Sequence, residues 1–422
     1  MALVLCLSGL LAGAILYSYG TYAGKSVGIK NDGVWFNALS NRGWLGWIVG
    51  VVLTSFYVLL YWFPEYLGLG SDGTANTGLI ALFDPLSQFF SGKPASHWFA
   101  YGTLYTVAII SLGIKFLWKY RGNRYQVIRT WSVMLFQLLL AYLIPEILEG
   151  LNQGQAYFAK DLKYMWPLNY FFFDTWHLNN MTQGGNLGMF YLVWGVLLVL
   201  FVAPVITYFV GKRWYCSWVC GCGGLAETAG DSFRQLSDKS LKAWKIERIL
   251  IHAVLVYIGL ATAIVLYGYF FNTGQLWGFD IYHYVSRPYG FLIGAAFSGV
   301  IGVGFYPVLG SRVWCRFGCP LAAYLGIIQR FKSRFRITTN GGQCISCGNC
   351  STYCEQGIDV RWYAQRGQNI VRASCVGCGI CSSVCPRGVL KLENGPEEGR
   401  INDNPIIIGK EVKINENLLG GE

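Results

Sequence analysis

Eight cysteines near the C-terminal end of the chain decide how that region folds. They lie in the stretches Cys344-Ile-Ser-Cys347-Gly-Asn-Cys350-Ser-Thr-Tyr-Cys354 and Cys375-Val-Gly-Cys378-Gly-Ile-Cys381-Ser-Ser-Val-Cys385. Both stretches follow the spacing C-x2-C-x2-C-x3-C, and Pro386 follows the second one. Three thiolates at this spacing wrap three corners of a [4Fe–4S] cube, and the last cysteine of the other stretch supplies the fourth corner. The spacing therefore predicts two such clusters.

The doubled motif is the bacterial ferredoxin signature, and it assigns the ligands of each cluster. The first cluster takes Cys344, Cys347, Cys350 and Cys385, and the second takes Cys375, Cys378, Cys381 and Cys354. We therefore predict a double [4Fe–4S] ferredoxin domain of mixed α and β structure at 341–392, followed by a tail at 393–422. Glu355 stands where a proline usually follows the fourth cysteine. Zinc is the alternative metal, but zinc ribbons do not usually repeat the trailing C-x3-C.

Upstream of this domain the chain is strongly apolar. Of its 422 residues 54% are hydrophobic and only 13% are charged, whereas about 25% of the residues in an average soluble domain are charged. Seven stretches are long and apolar enough to cross about 30 Å of hydrocarbon as helices: Ala2–Gly20, Gly43–Phe63, Trp98–Trp118, Thr130–Leu148, Gly188–Val210, Ile251–Phe271 and Gly290–Gly310. The sequence thus predicts a multi-pass α-helical membrane domain at 1–310, joined to the ferredoxin domain by a basic connector at 311–340.

The positions of Lys and Arg predict the orientation of these helices. The net charge is +11, and 21 basic residues lie in or beside one set of alternate connections. The other set carries four, namely Lys93, Lys160, Lys163 and Arg287. Because cytoplasmic loops collect Lys and Arg, we expect an outside N-terminus and a cytoplasmic ferredoxin domain at the inner membrane of the cell. The basic charge therefore does not indicate a nucleic-acid partner.

A repeat marks the cytoplasmic ends of the fifth and seventh predicted helices. Gly211–Cys220 and Gly310–Cys319 share the pattern G-x-R-x-aromatic-C-x3-C, 99 residues apart. Residues four apart on a helix share one face, so the two pairs could form a four-thiolate site suited to iron or to an additional Fe–S centre. Its ligands would be Cys216, Cys220, Cys315 and Cys319. The alternative is that these small cysteines pack between helices.

Between about Gly188 and Leu392 the chain resembles the NosR/NapH/CcoG-like membrane polyferredoxins. The resemblance rests on the double ferredoxin motif and on the paired C-x3-C motifs, of which Cys315-Arg-Phe-Gly-Cys319-Pro320 matches well. In the first pair, Gly221-Cys222 replaces the usual proline. The resemblance implies a multi-pass protein that passes electrons between a membrane donor, often quinol, and a redox partner, or that assists metalloenzyme assembly.

Ionisable residues near the predicted spans suggest where a quinone would bind. Glu146, which follows Pro145 in the fourth predicted span, could accept protons from quinol, and His177 and His283 could complete the site from the outer loops. A carboxylate that is merely hydrated at the interface is the alternative interpretation. The chain has four histidines, and no two of them face each other well inside a span, so we expect no haem b.

These features predict a membrane-bound protein that passes electrons between a membrane-side site and two cytoplasmic [4Fe–4S] clusters. If it is part of an enzyme, it would be a subunit of a quinol dehydrogenase-like oxidoreductase. The expected partners are membrane lipid, a redox protein and quinone. Two alternatives remain open: a redox assembly factor that reduces a metal or a thiol for another complex, and a transporter with regulatory clusters.

The charge asymmetry makes the topology testable with reporter fusions. A reporter fused after Glu422 should be active only if it functions in the cytoplasm, whereas a matched fusion after Gly92, in a predicted outer loop, should be active only if it functions outside. An exported C-terminus would contradict the predicted orientation of every helix.

Overall fold

Helices account for most of the structure. The computed structural model describes residues 2–23, 43–71, 74–151, 161–340 and 343–395, together with two short strands at 407–408 and 412–413. The helices are α1 (Ala2–Tyr22), α2 (Trp44–Trp62), α3 (Gly78–Ala81), α4 (Asp84–Ser91), α5 (His97–Lys119), α6 (Arg124–Leu135), α7 (Ile144–Leu151), α8 (Thr175–Gln183), α9 (Gly185–Leu197), α10 (Ala203–Val210), α11 (Arg213–Cys216), α12 (Gly221–Thr228), α13 (Leu241–Phe270), α14 (Arg287–Tyr289), α15 (Tyr306–Leu309), α16 (Pro320–Lys332), α17 (Asn349–Thr352), α18 (Val360–Gln365) and α19 (Ile380–Ser383). The π-helical segments Phe136–Leu143 and Leu198–Val202 join α6 to α7 and α9 to α10.

Six helices in the described part of the chain are long and apolar enough to cross a membrane. They are Ala2–Thr21, Trp44–Trp62, His97–Lys119, Arg124–Leu151, Gly185–Val210 and Leu241–Phe270. Ser96, Asn123 and Ser240 begin three of them, because each side-chain oxygen accepts a hydrogen bond from the backbone N–H three residues later. The predicted membrane character is confirmed, with six such helices instead of seven.

The seventh predicted span, Gly290–Gly310, is not one continuous α-helix. The chain runs through a π-helical turn at Tyr282–Ser286, α14, and a second π-helical segment at Gly290–Ile301, and a turn separates this run from α15. Glycines at 290, 294 and 299 carry no side chain, and the rings of Tyr170 and Tyr61 occupy the space beside them. Glycine is a weak helix former, and the missing side chains leave room for these rings to pack against the backbone.

A segment that we expected at the outer surface enters the protein interior. Residues 161–174 lie between α7 and α8 and have no regular helix or strand. Trp166 Nε1 donates to Thr262 Oγ1 of α13 at 2.7 Å, and Trp194 Nε1 of α9 donates to the carbonyl of Leu162 at 2.8 Å. Trp194 is nine residues, about 14 Å, from the start of α9. We call residues 161–174 the re-entrant segment; such irregular backbone is tolerated at membrane depth only where protein covers it.

The re-entrant segment also corrects the expected position of Lys163. This residue is 8% exposed, pairs with Asp161 at 2.9 Å, and its carbonyl accepts a hydrogen bond from the Tyr215 hydroxyl at 3.0 Å. Met165 is fully buried in the same cluster as the four cysteines of the C-x3-C pairs. Lys163 therefore lies beside the C-x3-C repeat and is not a loop charge at the outer surface.

The ferredoxin domain contains one antiparallel pair of strands. Strands β1 (Gln275–Leu276) and β2 (Phe279–Asp280) form a separate small hairpin, whereas β3 (Phe335–Thr339) pairs with β4 (Leu390–Asn394) around the cysteine loops. Strands β5 (Ile407–Ile408) and β6 (Val412–Lys413) pair with each other. Because β3 pairs with β4, part of the predicted basic connector belongs to this domain. Phe116 and Tyr120, at the end of α5, pack in the same core as its cysteines.

Candidate functional site

The two cysteine loops of the ferredoxin domain have matching backbones. Gly348 precedes α17 with a φ of 79°, and Gly379 precedes α19 with a φ of 77°. This left-handed conformation favours glycine, which has no Cβ to clash. The third cysteine of each motif, Cys350 or Cys381, then lies near the start of the short helix. The sequence repeat is therefore also a repeat in three dimensions.

One cavity brings together the four cysteines that the spacing assigns to the first cluster. Its lining includes Cys344, Cys347, Cys350 and Cys385. Apolar side chains form much of the rest, notably Ile345, Val389 and Leu390, and two arginines complete the rim. Burial, and then the neighbouring thiols, raise the pKa of Cys350 to about 12. Four thiol donors between apolar walls fit a [4Fe–4S] cluster, and iron deprotonates the thiols that it binds.

The four cysteines assigned to the second cluster also lie together, but more deeply. Burial raises the pKa of the Cys381 thiol, and the neighbouring thiols of Cys378, Cys375 and Cys354 raise it further. Burial likewise raises the pKa of Cys375 to about 11 and that of Cys378 to about 12. This cysteine loop contacts the membrane domain, because Gln126 Nε2 donates to the Cys378 carbonyl at 2.7 Å and Ser217 Oγ donates to the Val376 carbonyl at 2.8 Å.

The C-x3-C pairs lie together, but not on the helical faces that we expected. Helix α11 ends at Cys216, and Cys220 has an extended backbone at the start of α12. The second pair repeats this pattern: Cys315 lies in the π-helical turn Trp314–Gly318, and Cys319 is extended before α16. In both pairs the second cysteine donates its N–H to the carbonyl five residues earlier. A wide turn thus replaces the predicted helical turn.

All four of these thiols are buried in one cluster. Burial raises the pKa of Cys216 to about 12, whereas a hydrogen bond from Cys222 lowers the pKa of Cys220. Among the described residues, no group of three or more His, Cys, Asp or Glu side chains is placed to hold a single metal ion. A cluster needs a wider spacing, because each thiolate binds a different iron.

One buried guanidinium group, that of Arg312, contacts the C-x3-C cysteines. Arg312 Nη1 lies 3.6 Å from Cys315 Sγ and also donates to the Cys216 carbonyl at 3.3 Å. Within the described residues, Arg129 Nε, Arg312 Nε and Arg316 Nη2 are buried without a hydrogen-bond partner. Buried donors are nearly always satisfied, so the free Nε of Arg312, a residue that approaches both Cys315 and Cys216, suits an anionic thiolate-ligated cluster.

A buried network of ion pairs connects the membrane domain to the ferredoxin domain. Arg312 Nη2 lies 2.6 Å from Glu227 and 3.0 Å from Glu355, and Arg234 Nη1 lies 2.8 Å from Glu355. Arg129 also pairs with Glu227. The network continues through Asp231, which pairs with Arg234 at 3.3 Å and with Lys119 at 2.5 Å.

This network explains the glutamate that follows Cys354. Burial alone would raise the pKa of Glu355, but Arg234 and Arg312 hold that pKa below its usual range. Asp231 behaves similarly: burial opposes ionisation, yet Lys119 and Arg234 lower its pKa to about 2. Our sequence interpretation missed the roles of Glu227, Arg312 and Asp231. The one signal in the sequence was Glu355, which stands where proline is usual.

The three candidate quinone-site residues lie in different surroundings. Glu146 is partly buried on α7. His177 is 1% exposed on α8, with its ring 5.1 Å from that of Phe171. His283 is exposed, and its backbone N–H donates to Asp280 at 2.7 Å. Of the three, His177 is the one that directly follows the re-entrant segment.

Comparison with protein families identifies iron–sulfur domains at both sets of cysteines. Residues 338–392 match the family model of a 4Fe-4S dicluster domain. Residues 193–240 and 291–338, which include both C-x3-C pairs, match the family model of a 4Fe-4S binding domain. The prediction of [4Fe–4S] clusters is confirmed.

Two curated proteins are similar to part of the chain. "Putative electron transport protein YccM" of Escherichia coli is 26% identical over 173 residues, which are 39% of this chain and 47% of that protein. "Uncharacterized protein MJ0750" of Methanocaldococcus jannaschii is 26% identical over 172 residues, 39% of this chain and 68% of that protein. The matching region spans about half the length of the first relative. No solved structure matches the chain significantly. These similarities support an electron-transport role, without confirming the NosR/NapH group in particular.

The network predicts unequal effects for two glutamate substitutions in the ferredoxin domain. Glu355→Gln leaves Arg234 and Arg312 buried without their shared countercharge, and removing one partner of a buried ion pair destabilises by about 3–5 kcal/mol. Glu393→Gln is the matched control, because its pair with Lys391 is partly exposed and should contribute less than about 1 kcal/mol. Urea titration of the detergent-solubilised protein, followed by cluster absorbance, measures both. Equal destabilisation would contradict the importance of the network.

Proposed function

We propose that the chain is an integral-membrane electron carrier that connects a membrane-side donor with a soluble redox partner in the cytoplasm. The observation that carries this proposal is the direct contact between the two segments that carry the two sets of cysteines. Ser217, next to Cys216, donates its hydroxyl to the carbonyl of Val376, next to Cys375, at 2.8 Å. Val376 also packs in the same buried cluster as all four C-x3-C cysteines. The polypeptide thus leaves no solvent layer between these residues.

Eight cysteines hold the two clusters of the ferredoxin domain in this proposal. Cys344, Cys347, Cys350 and Cys385 bind the first, and Cys375, Cys378, Cys381 and Cys354 bind the second. A [4Fe–4S] cluster supplies one-electron chemistry. The protein contributes the surroundings: the first site opens to solvent at Cys347, whereas Cys375 and Cys381 are buried towards the membrane domain.

Cys216, Cys220, Cys315 and Cys319 hold a third centre in this proposal, and it is an iron–sulfur cluster. Three observations support it: the burial of four thiols in one cluster, the buried guanidinium group of Arg312 beside them, and the match of both repeats to a 4Fe-4S binding domain. Arg312 would act on this centre directly, because it approaches the sulfur of Cys315. A nearby cation stabilises the reduced, more negative state of such a centre.

The membrane-side donor approaches the third centre along the re-entrant segment. Lys163 and Asp161 lie at its inner end beside Tyr215, and His177 lies just beyond its other end. Ionisable residues at membrane depth usually mark functional pathways. Quinol is the donor class that we propose, since it carries two electrons and two protons in the membrane and His177 lies among aromatic rings. In this orientation the ferredoxin domain faces the cytoplasm, as the excess of inner Lys and Arg indicates.

Iron content distinguishes a third centre from packed cysteines. Three [4Fe–4S] clusters give about twelve irons per chain, and Cys315→Ser with Cys319→Ser should lower this value to about eight. The ferredoxin clusters should still assemble, but their reduction from the membrane side should be slower. Iron analysis and absorbance after anaerobic purification measure the first effect, and quinol-driven reduction in vesicles measures the second.

Cys6→Ser is the matched control for this experiment. Cys6 is exposed on α1, apart from both sets of cysteines, so its loss should change neither quantity. If the double variant keeps the full iron content and the original rate, Cys315 and Cys319 are packing residues and the third centre does not exist.

A further inference from the structure

The first cluster site opens to solvent beside a small apolar surface. Its ligand Cys347 is exposed, and the neighbouring Ile345 is 54% exposed. Trp362 on α18, 44% exposed, follows Arg361 of the cavity lining. Large apolar side chains at the centre of a surface patch are typical of protein interfaces. A redox partner could therefore come close to the first cluster site.

The second cluster site is closed to soluble partners on the side of the membrane domain. Tyr125 donates its hydroxyl to the Gly377 carbonyl at 2.8 Å, and Gln126 donates to the Cys378 carbonyl at 2.7 Å. Ser217 donates its hydroxyl to the carbonyl of Val376, the residue between Cys375 and Gly377. The domain thus has an inner end that contacts the membrane domain and an outer end at the first cluster site. A soluble partner has access at the outer end.

Arginines surround the outer end. Arg361 and Arg387 line the cavity, and the Arg366 guanidinium stacks 3.8 Å from the ring centroid of Trp362. Among the residues that the structure describes, none of these three arginines forms an ion pair with a carboxylate of the chain. Asp359, the acidic residue closest to Arg361 along the chain, accepts a hydrogen bond from the Ser351 hydroxyl at 2.6 Å. The charge of the rim is therefore positive.

Hydrogen bonds hold this surface in place. Gln365 on α18 donates to Ser346 of the cysteine loop at 2.7 Å, and the backbone N–H of Arg361 donates to Ser351 at 2.8 Å. Helix α18 and the loop of the first cluster site are thus fixed to each other. A preorganised surface loses less conformational entropy on binding than a mobile one.

We propose that this outer end, formed by Ile345, Cys347, Arg361, Trp362, Arg366 and Arg387, is the docking surface for an acidic one-electron redox protein. The inference rests on the proposed electron-transfer function and names the chemical class of its soluble partner. Trp and Arg are the residues that most often dominate binding energy at interfaces. The unpaired arginines attract acidic partners from a distance and orient them towards the cavity. One electron then passes between the first site and the partner, and no covalent bond forms or breaks.

A pair of cytochromes with the same haem and opposite charge tests the proposal. The probes are native mitochondrial cytochrome c, which is basic, and the same protein with succinylated lysines, which is acidic. The complete protein is solubilised in detergent and reduced with dithionite, excess reductant is removed, and each ferric probe is mixed in a stopped-flow instrument. Each electron that leaves the protein converts one ferric haem to ferrous haem. At low salt the succinylated probe should react at least about tenfold faster, and added salt should reduce this difference.

Two arginine substitutions separate local docking from net charge. Arg361→Glu should slow the succinylated probe by about tenfold at low salt and speed up the native one. Arg334→Glu is the matched control. Arg334 is exposed and precedes β3 at one end of the β3–β4 strand pair, whereas Leu390, which lines the cavity, lies at the other end. This control should change both rates by less than about twofold. Unchanged iron content and visible absorbance confirm that both variants are folded.

Several outcomes would overturn the docking surface. They are a faster native probe in the unsubstituted protein at low salt, an equal loss of rate in Arg334→Glu, and no effect of Arg361→Glu. Because the assay starts from chemically reduced protein, it does not depend on electron entry from the membrane. A protein that fails to accept electrons from quinol but shows the expected charge dependence would contradict the proposed donor and leave the docking surface supported.

Discussion

The ion pairs of Arg312 with Glu227 and Glu355 are the interaction on which the arrangement of the two domains depends. They join the second C-x3-C repeat to the residue after Cys354 and to helix α12. Desolvating these charges opposes folding, so such a network is a poor source of net stability compared with apolar packing. Its effect is on placement, because buried charges must meet their partners in one geometry. The two sets of cysteines therefore have one mutual position.

The two copies of the C-x3-C repeat share a backbone conformation but differ in the contacts of their arginines. Gly211 and Gly310 have nearly the same backbone, with φ values of 73° and 93°, and each precedes a short helical turn that carries a cysteine. The equivalent arginines differ in their partners. Arg213 stacks on the ring of Phe335 in the hairpin at 4.8 Å, whereas Arg312 enters the ion-pair network. Duplication thus supplies matching thiols, and divergence of the neighbouring side chains attaches the ferredoxin domain.

Buried polar groups inside the membrane domain also have partners. Asp161 and Lys163 are paired, and the re-entrant backbone receives hydrogen bonds from Trp194 and Tyr215. Without these partners an irregular segment at such depth would leave backbone N–H and C=O groups unsatisfied. Each unsatisfied group in hydrocarbon costs about 4–8 kcal/mol. The helices around it provide the partners, so the segment can bring charged residues to the C-x3-C cysteines.

Local spacing and composition determined much of this protein in advance. The apolar lengths predicted the first six membrane helices, and the spacing of eight cysteines predicted the [4Fe–4S] clusters and the set that lines one cavity. Both signals are local, because a helix must span the hydrocarbon and a cysteine loop must wrap a cube within a dozen residues. The seventh apolar stretch is helical only as far as Ile301, mostly with π-helical geometry, and it is not among the six helices that are long and apolar enough to cross a membrane in the described part of the chain. The predicted outer-loop position of Lys163 was wrong, because the count of loop charges cannot detect a segment that folds back into the protein.

Tertiary structure alone decided which side chains meet. Arg312 and Glu227 are 85 residues apart, and Arg234 and Glu355 are 121 residues apart. No periodicity relates such positions, and Glu355 marked only a departure from the usual proline. The C-x3-C pairs were predicted to share a site on helical faces, but each pair lies in a wide turn in which the second cysteine donates its N–H to the carbonyl five residues earlier. Spacing along the chain specifies the ligands of a cluster, whereas the charges around it are placed by contacts between distant segments, because an ion pair forms only where the fold has removed both partners from water.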